Sequence, residues 1–99
     1  MNIVNELKSL KEYYIKDGFI IDAIFGSVAR GEKEYRDLDL LYHLDKEFLL
    51  KYRGFKAFKK LEEIKESISK KIGIKVDLAP SNNLSKTAKK YILKDAIYV

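Results

Sequence analysis

The sequence predicts an α+β fold in which a small mixed, largely antiparallel sheet is backed by helices. Apolar runs typical of short strands occur at residues 19–25, 37–44 and 74–78. Stretches with the apolar spacing of amphipathic helices flank and separate these runs. If polar residues of all three strands share one site, the second strand runs antiparallel to both neighbours. This arrangement disfavours a doubly wound parallel sheet.

Length and composition predict one globular domain, residues 1–99. The chain is 46% apolar and 35% charged, which excludes an intrinsically disordered protein. It contains no cysteine, so disulfides, thiolate catalysis and cysteine-based zinc sites are excluded. No apolar run reaches the length of a membrane span, and the N-terminus mixes charged with apolar residues, unlike a signal peptide. We therefore expect a cytoplasmic protein without a membrane partner.

The net charge of +5 is unevenly distributed. Residues 1–50 carry seven basic and ten acidic side chains (−3), whereas residues 51–99 carry thirteen and five (+8). A solvated, lysine-rich surface is the simpler interpretation of the basic half, and a surface for a polyanion or an acidic partner is the alternative. Nucleic-acid binding is a minor alternative, because the aromatic residues Tyr52 and Phe55 lie beside Lys51 and Arg53 in the sequence.

The first forty-four residues predict a helix and two strands. Apolar residues at helical spacing, ending with Tyr14, predict a helix over residues 2–16 that stops at Gly18. Residues 19–25 are apolar on both faces apart from Asp22, which predicts a central strand. We interpret Asp22 as a polar edge contact rather than a ligand. His43 is interpreted as a packing residue with a satisfied hydrogen bond, with catalysis as the alternative.

The turn after the first strand has the features of a phosphate site. Gly26 leaves room for a phosphate, and Ser27 is placed to cap a short helix whose N–H groups face the same spot. Ten residues later Asp37 and Asp39 follow at the two-residue spacing that puts both on one face of a strand. Two carboxylates on one face need a compensating cation, and Mg²⁺ prefers carboxylates together with substrate phosphates. The alternative leaves Asp37 as a turn cap and Asp39 as an exposed strand residue.

The second half of the chain predicts a long helix, a third strand and a final helix. Asp45 is placed to cap the long helix, and Gly54 marks either a kink or a break in it. The predicted inward positions of this helix are Phe48, Tyr52, Phe55, Phe58 or Lys59, Leu61, Ile64 and Ile68. The aromatic residues among them are interpreted as core.

The last part of the chain has weaker signals. Residues 74–78 alternate as a half-buried strand with Lys75 and Asp77 on its polar face. Residues 80–83 predict a turn, and Leu84, Ala88, Tyr91 and Ile92 then predict an amphipathic helix. The apolar residues 96–99 predict either an edge strand or a segment that docks on a partner.

These motifs together resemble a known family. Gly26-Ser27, nine further residues, Asp37-Leu38-Asp39-Leu40 and the later Asp77 are similar to the signature of the polymerase-beta-like nucleotidyltransferase superfamily. The short chain resembles its minimal nucleotidyltransferase (MNT) branch, whose members often act as antitoxins beside HEPN toxins. The resemblance covers residues 19–79 directly and implies the same α+β fold.

The resemblance implies a reaction and roles for the site residues. A nucleoside monophosphate, AMP from ATP, moves to a hydroxyl while pyrophosphate leaves. Asp37 and Asp39 hold two Mg²⁺ ions, and Asp77 helps to hold the second ion and serves as general base. Gly26 and Ser27 bind the departing phosphates.

Two basic residues have open roles. Arg30 either contacts phosphate or pairs with Glu34. Lys75 either contacts phosphate or neutralises Asp77.

The acceptor is expected to be macromolecular, because one short domain has no separate substrate domain. By resemblance it is a tyrosine of a HEPN-type toxin, with this protein as the antitoxin in a homo- or hetero-oligomer. A small-molecule acceptor such as an aminoglycoside is one alternative. A non-catalytic antitoxin that acts by occlusion is the other.

Overall fold

The computed structural model describes residues 3–31, 37–82 and 84–99, with the Ser27 side chain outside this description. Within these ranges, helices and strands alternate along most of the chain. The elements are α1 (Ile3–Ile15), β1 (Phe19–Phe25), α2 (Gly26–Ala29), β2 (Asp37–Leu44), α3 (Lys46–Lys51), α4 (Phe55–Ile72), β3 (Lys75–Pro80), α5 (Lys86–Lys94) and β4 (Ile97–Tyr98).

The strands form one sheet in the order β3-β2-β1-β4. β1 pairs antiparallel with both β2 and β4, whereas β2 and β3 pair in parallel. The predicted α+β fold with a mixed, largely antiparallel sheet is therefore confirmed. The expectation that the second strand runs antiparallel to both neighbours is wrong. The helical connection through α3 and α4 returns the chain to the end of the sheet where β2 began, which makes β3 parallel to β2.

The hydrophobic core lies between one face of the sheet and the helices α1 and α4. Alternation along β2 sends Leu38 and Leu40 into this core and leaves Asp37 and Asp39 on the opposite face. The Tyr14 hydroxyl donates a hydrogen bond to Ser67 Oγ at 2.7 Å between the two helices. The buried residues of the core are Leu7, Leu10, Tyr14, Phe19, Ile21, Ile24, Leu38, Leu40, Phe48, Ile64, Ile68, Ile72 and Val76.

The N-terminus of α3 is fixed by the predicted cap. Asp45 accepts hydrogen bonds from the N–H groups of Glu47 at 2.9 Å and Phe48 at 3.3 Å. Gly18 has a φ of +84°, and a Cβ there would collide with the Asp45 carboxylate and the Phe48 amide. The end of α1 and the start of α3 therefore meet closely only because residue 18 is glycine.

Gly54 separates two helices rather than bending one. α3 ends at Lys51 and α4 begins at Phe55, because Gly54 takes a positive φ of 56° that ordinary helical residues avoid. The break rotates the start of α4 away from the core. The predicted inward positions of Phe55 and Phe58 are therefore wrong, since these side chains are 73% and 60% exposed.

The C-terminal elements differ from the prediction in their limits. β3 continues through Ala79 and Pro80, since proline is tolerated in an edge strand. α5 begins after Ser85, whose Oγ accepts from the Ala88 N–H at 3.1 Å. Tyr91 was predicted on the apolar face of this helix; that prediction is wrong, since its side chain is 72% exposed. Asn83 of the predicted turn lies outside the described residues.

The apolar tail forms the predicted edge strand. β4 pairs with β1, and Lys11 Nζ donates to the Val99 carbonyl oxygen at 2.8 Å. Across the three described ranges, the structure has no helix with the length and apolar character needed to span a membrane.

Candidate active site

The sheet brings the predicted carboxylates to one face. Asp39 pairs in parallel register with Asp77, and Phe25, the last residue of β1, is opposite Asp39 on the other side. Asp37 lies two residues before Asp39 on the same face of β2. Since paired strands lie about 4.8 Å apart, the Asp39 and Asp77 side chains leave the sheet as immediate neighbours. Asp77 lies in the middle of β3.

The carboxylates influence one another electrostatically. The pKa of Asp39 is raised, first by partial burial and then by the negative charges of Asp77 and Asp37. The Arg30 guanidinium acts in the opposite direction and lowers this pKa. The site therefore concentrates negative charge that one arginine offsets only in part. A bound cation would stabilise the ionised form of all three carboxylates.

The donor chemistry fits a hard divalent cation. Three aspartates offer only carboxylate oxygens, which are the ligands that Mg²⁺ prefers in combination with phosphate and water. The described residues nevertheless contain no group of three or more acidic, histidine or cysteine side chains close enough together to hold an ion. Asp37, Asp39 and Asp77 thus share a face, and their role as metal ligands stays a prediction.

Gly26 connects the turn to the carboxylates. It has a φ of +77°, and a Cβ at this position would collide with Asp39 Oδ2. The backbone at Gly26 therefore lies directly against the Asp39 carboxylate. Because of this contact, the N–H groups of the first turn of α2 lie near the acidic face. A phosphate that shares a cation with the carboxylates would bind there.

The predicted cap of α2 is not at Ser27. The N-cap residue is Phe25, with no side-chain cap, so Ser27 belongs to the helix itself. Its side chain lies outside the described residues, and its role at the phosphates stays a prediction.

The two basic residues lie at different places around the carboxylates. Arg30 ends α2, and its influence on the pKa of Asp39 puts its guanidinium within electrostatic reach of the site. Glu34 lies outside the described residues, so the phosphate role and the pair with Glu34 both stay predictions. Lys75 lies in register with Asp37, so Asp37 is its cross-strand neighbour, not Asp77.

His43 has the structural environment that was predicted. Its Nδ1 lies 2.8 Å from both carboxylate oxygens of Asp22. Ser81 Oγ donates to Asp22 Oδ2 at 2.9 Å, so one carboxylate joins β1, β2 and the residue after β3. Asp22 lies on an inner strand and is a cross-strand anchor, not an edge contact. The sequence does contain a signal for this anchoring role, because Asp22 is the one polar residue of an otherwise apolar strand.

A family model described as "Nucleotidyltransferase domain" matches residues 2–99, nearly the whole chain. The chain belongs to this nucleotidyltransferase family. It is 31% identical over 106 aligned residues to "Putative protein adenylyltransferase MJ1379" of Methanocaldococcus jannaschii, with 100% of both chains covered. It is 38% identical over 94 residues to "Putative protein adenylyltransferase MJ1217" of the same organism, covering 93% of this chain and 85% of the relative.

A solved structure described as a "putative minimal nucleotidyltransferase" superposes with a TM-score of 0.66 at 25% identity. The match covers 96% of this chain and 94% of the other. The chain is thus a nucleotidyltransferase of the minimal type, as its motifs predicted.

The structure of this nucleotidyltransferase also shows a groove that the sequence did not predict. A groove of about 300 Å³ runs between β3 and α4, and Asp77, Leu78, Leu61 and Phe58 line part of it. Helical periodicity predicts Phe58 in the core, so the sequence does not predict a surface groove lined by Phe58. The glycine before α4, which turns the first helical turn outward, was the signal that could have indicated it.

Proposed function

We propose that this nucleotidyltransferase transfers AMP from ATP to a hydroxyl of a partner protein. The observation that carries the proposal is the pairing of Asp39 with Asp77 directly beside the Gly26 turn. The names of the two M. jannaschii relatives, which match over most of their lengths, support AMP as the group and protein as the acceptor. The reaction then depends on positioning and on charge neutralisation.

The chain's own residues divide the work by position. The first-turn N–H groups of α2, at Gly26 and Ser27, bind the β- and γ-phosphates, which are the part of ATP that leaves. Arg30, which already offsets the charge at Asp39, pairs with the same phosphates. Asp77 accepts the proton of the acceptor hydroxyl.

The proposed step balances as follows. The acceptor oxygen forms a bond to the α-phosphorus of ATP, and the bond between the α-phosphorus and the bridging oxygen of the β-phosphate breaks. Pyrophosphate leaves with the electron pair of that bond. The hydroxyl proton passes to the Asp77 carboxylate, and the product is a phosphodiester between AMP and the acceptor.

Asp37, Asp39 and Asp77 are proposed to hold two Mg²⁺ ions, since their shared face and oxygen donors fit such ions. When bound, the ions neutralise phosphate charge and lower the pKa of the acceptor hydroxyl.

The resemblance to the minimal branch adds a specific acceptor and a biological role. We propose that the acceptor is a tyrosine of a HEPN-type toxin, that the two proteins form a hetero-oligomer, and that AMP transfer inactivates the toxin. This protein is then the antitoxin.

The experiment uses ATP labelled at either the α- or the γ-phosphate, with Mg²⁺ and the product of the neighbouring gene. The expected result is α-label on the acceptor protein and γ-label in released pyrophosphate. Mass spectrometry then finds the AMP on a tyrosine. γ-Label on the acceptor would identify a kinase instead and overturn the proposal.

Asp39→Asn tests the site, and Asp95→Asn, a carboxylate at the end of α5, is its matched control. Asp39→Asn should lose transfer while Asp95→Asn keeps it. A stable complex of the two proteins that inactivates the toxin equally well with Asp39→Asn would show occlusion rather than catalysis.

A further inference from the structure

The first turn of α4 exposes two aromatic side chains. Phe55 is 73% exposed and Phe58 is 60% exposed. Their ring centroids lie 6.4 Å apart at an interplanar angle of 28°, so the two rings form one continuous apolar surface. Exposed apolar surfaces of this kind mark sites of interaction with another molecule.

Basic side chains surround this aromatic pair. Residues 51–60 contain five Lys or Arg and no Asp or Glu. Lys51 and Lys60 lie 3.7 and 3.9 Å from the Asp17 carboxylate, and Lys59 Nζ lies 6.0 Å from the centre of the Phe55 ring. In the described parts of the chain no carboxylate forms an ion pair with Arg53, Lys56 or Lys59, so their charge is available to a partner.

A groove links the aromatic pair to Asp77, one residue of the candidate active site. Phe58 forms one wall of the groove of about 300 Å³ in which Asp77 also lies. Tyr42, Leu61, Glu62, Lys65 and Leu78 line the rest of the groove. The groove therefore connects the surface at Phe58 with Asp77 on the edge strand β3.

We infer that Arg53, Phe55, Lys56, Phe58 and Lys59, here called the docking face, bind the acceptor protein through an acidic surface with an apolar centre. The inference rests on the proposed function, because it assigns the partner of that same site. The docked partner inserts its acceptor side chain along the groove toward Asp77.

The lining of the groove favours a protein over a nucleic acid. Two acidic residues, Glu62 and Asp77, outnumber the one basic lining residue, Lys65, and would repel a phosphodiester backbone. The leucines and Tyr42 suit an apolar or aromatic side chain. A tyrosine fits both requirements, since its ring is apolar and its hydroxyl is polar.

Binding is tested first, without ATP. Two fluorescent helical peptides of equal length carry the same apolar residues and one tyrosine, and one is rich in Glu while the other is rich in Lys. Fluorescence anisotropy should show that the acidic peptide binds more tightly. The double variants Phe55→Ala/Phe58→Ala and Lys56→Glu/Lys59→Glu should each weaken it about tenfold or more.

The controls are exposed residues of α5. Tyr91→Ala removes an aromatic ring that is 72% exposed, and Lys90→Glu reverses an exposed charge; both should bind as the wild type does. All the substituted side chains are exposed to solvent, so circular dichroism melts should show native stability for every variant. Equal affinity for both peptides, or equal weakening by the control variants, would overturn the inference.

Measuring AMP transfer to two acceptors distinguishes a failure of this inference from a failure of the proposed function. With labelled ATP and Mg²⁺, the Lys56→Glu/Lys59→Glu variant, whose substituted residues do not line the groove, should lower kcat/KM for the acidic peptide about tenfold and leave transfer to N-acetyltyrosinamide unchanged. If neither acceptor is labelled but peptide binding still requires Phe55 and Phe58, the proposed function fails and the docking face stands. If transfer is intact but insensitive to the docking-face variants, the docking face fails alone.

A fluorescent single-stranded oligonucleotide completes the test. We expect it to bind more weakly than the acidic peptide at physiological ionic strength. Tighter oligonucleotide binding that is lost in the same variants and falls steeply with salt would identify a nucleic-acid surface and overturn the inference.

Discussion

Asp39 and Asp77 lie directly opposite each other on the parallel strands β2 and β3. Neighbouring carboxylates repel each other, and this repulsion contributes to the raised pKa of Asp39. A sheet built for stability alone gains nothing from this pair. The arrangement is explained if a divalent cation and a triphosphate complete it during the reaction.

The raised pKa of Asp39 predicts an unusual effect of Asp39→Asn on stability. A carboxyl group with a raised pKa in the folded state favours folding while protonated, and that contribution is lost as pH rises through the folded pKa. At neutral pH in the presence of a chelator, Asp39→Asn should therefore raise Tm. The gain should disappear once the pH falls below the ordinary carboxyl range. Differential scanning calorimetry across pH measures both effects.

Asp22→Asn is the matched control for this experiment. The Asp22 carboxylate accepts from Ser81 Oγ at 2.9 Å and lies 2.8 Å from His43 Nδ1. Its replacement should lower Tm, because a neutral amide makes weaker hydrogen bonds to Ser81 Oγ and His43 Nδ1 than a carboxylate does. A lower Tm for Asp39→Asn at neutral pH would contradict the electrostatic account of the site.

Gly26→Ala should damage both stability and activity. The added Cβ would meet Asp39 Oδ2, and alanine at a φ of +77° is strained. Gly31→Ala is the control, since φ there is +75° but nothing lies within 4 Å of the added Cβ. We expect Gly31→Ala to cost about 1 kcal/mol from backbone strain and Gly26→Ala clearly more. Urea unfolding measures the difference, and equal costs for the two variants would exclude a special contact at Gly26.

Ser69 is predicted to hold the outer edge of β3. Its Oγ accepts from the Val76 N–H at 3.0 Å and donates to the Lys65 carbonyl oxygen at 2.9 Å. Ser69→Ala leaves the N–H of a fully buried residue unpaired, at a cost of about 1–3 kcal/mol. Ser9→Ala removes only an exposed bond of 3.4 Å and should change stability by less than about 0.5 kcal/mol. Hydrogen exchange at Val76 should increase in the first variant alone.

His43 is predicted to be structural. It lies four residues from Asp39, or about 13 Å along β2, and its Nδ1 is held by Asp22. His43→Gln should therefore change kcat of AMP transfer by less than about twofold, an amount far below the effect of losing an acid or base. A loss of a hundredfold or more would assign catalysis to His43 after all.

Local signals in the sequence predicted most elements and the shared face of Asp37 and Asp39. Asp45 indicated the start of α3 because a helix cap depends on one side chain and the two N–H groups after it. Asp37 and Asp39 were placed on one face because alternation in a strand is a property of the strand itself. Asp77 reaches the same face because β3 pairs with β2 in a register that sets Asp77 opposite Asp39, which alternation alone does not fix.

The direction of β3 and the exposure of Phe55 and Phe58 were not predictable in this way. Strand direction depends on how the connection through α3 and α4 crosses the sheet, which no local pattern records. Helical spacing assigned the two phenylalanines to the core face, but the break at Gly54 reorients the turn that carries them. Such rotation follows from tertiary packing, not from periodicity.

The central claim is that Asp39 and Asp77 together hold a divalent cation for nucleotidyl transfer. Mn²⁺ binding in the presence of ATP, followed by electron paramagnetic resonance, tests it most directly. For Asp39→Asn and for Asp77→Asn, Mn²⁺ affinity should fall at least about tenfold and AMP transfer should stop, while Asp95→Asn behaves as the wild type. Unchanged Mn²⁺ affinity together with unchanged transfer in both site variants would contradict the account.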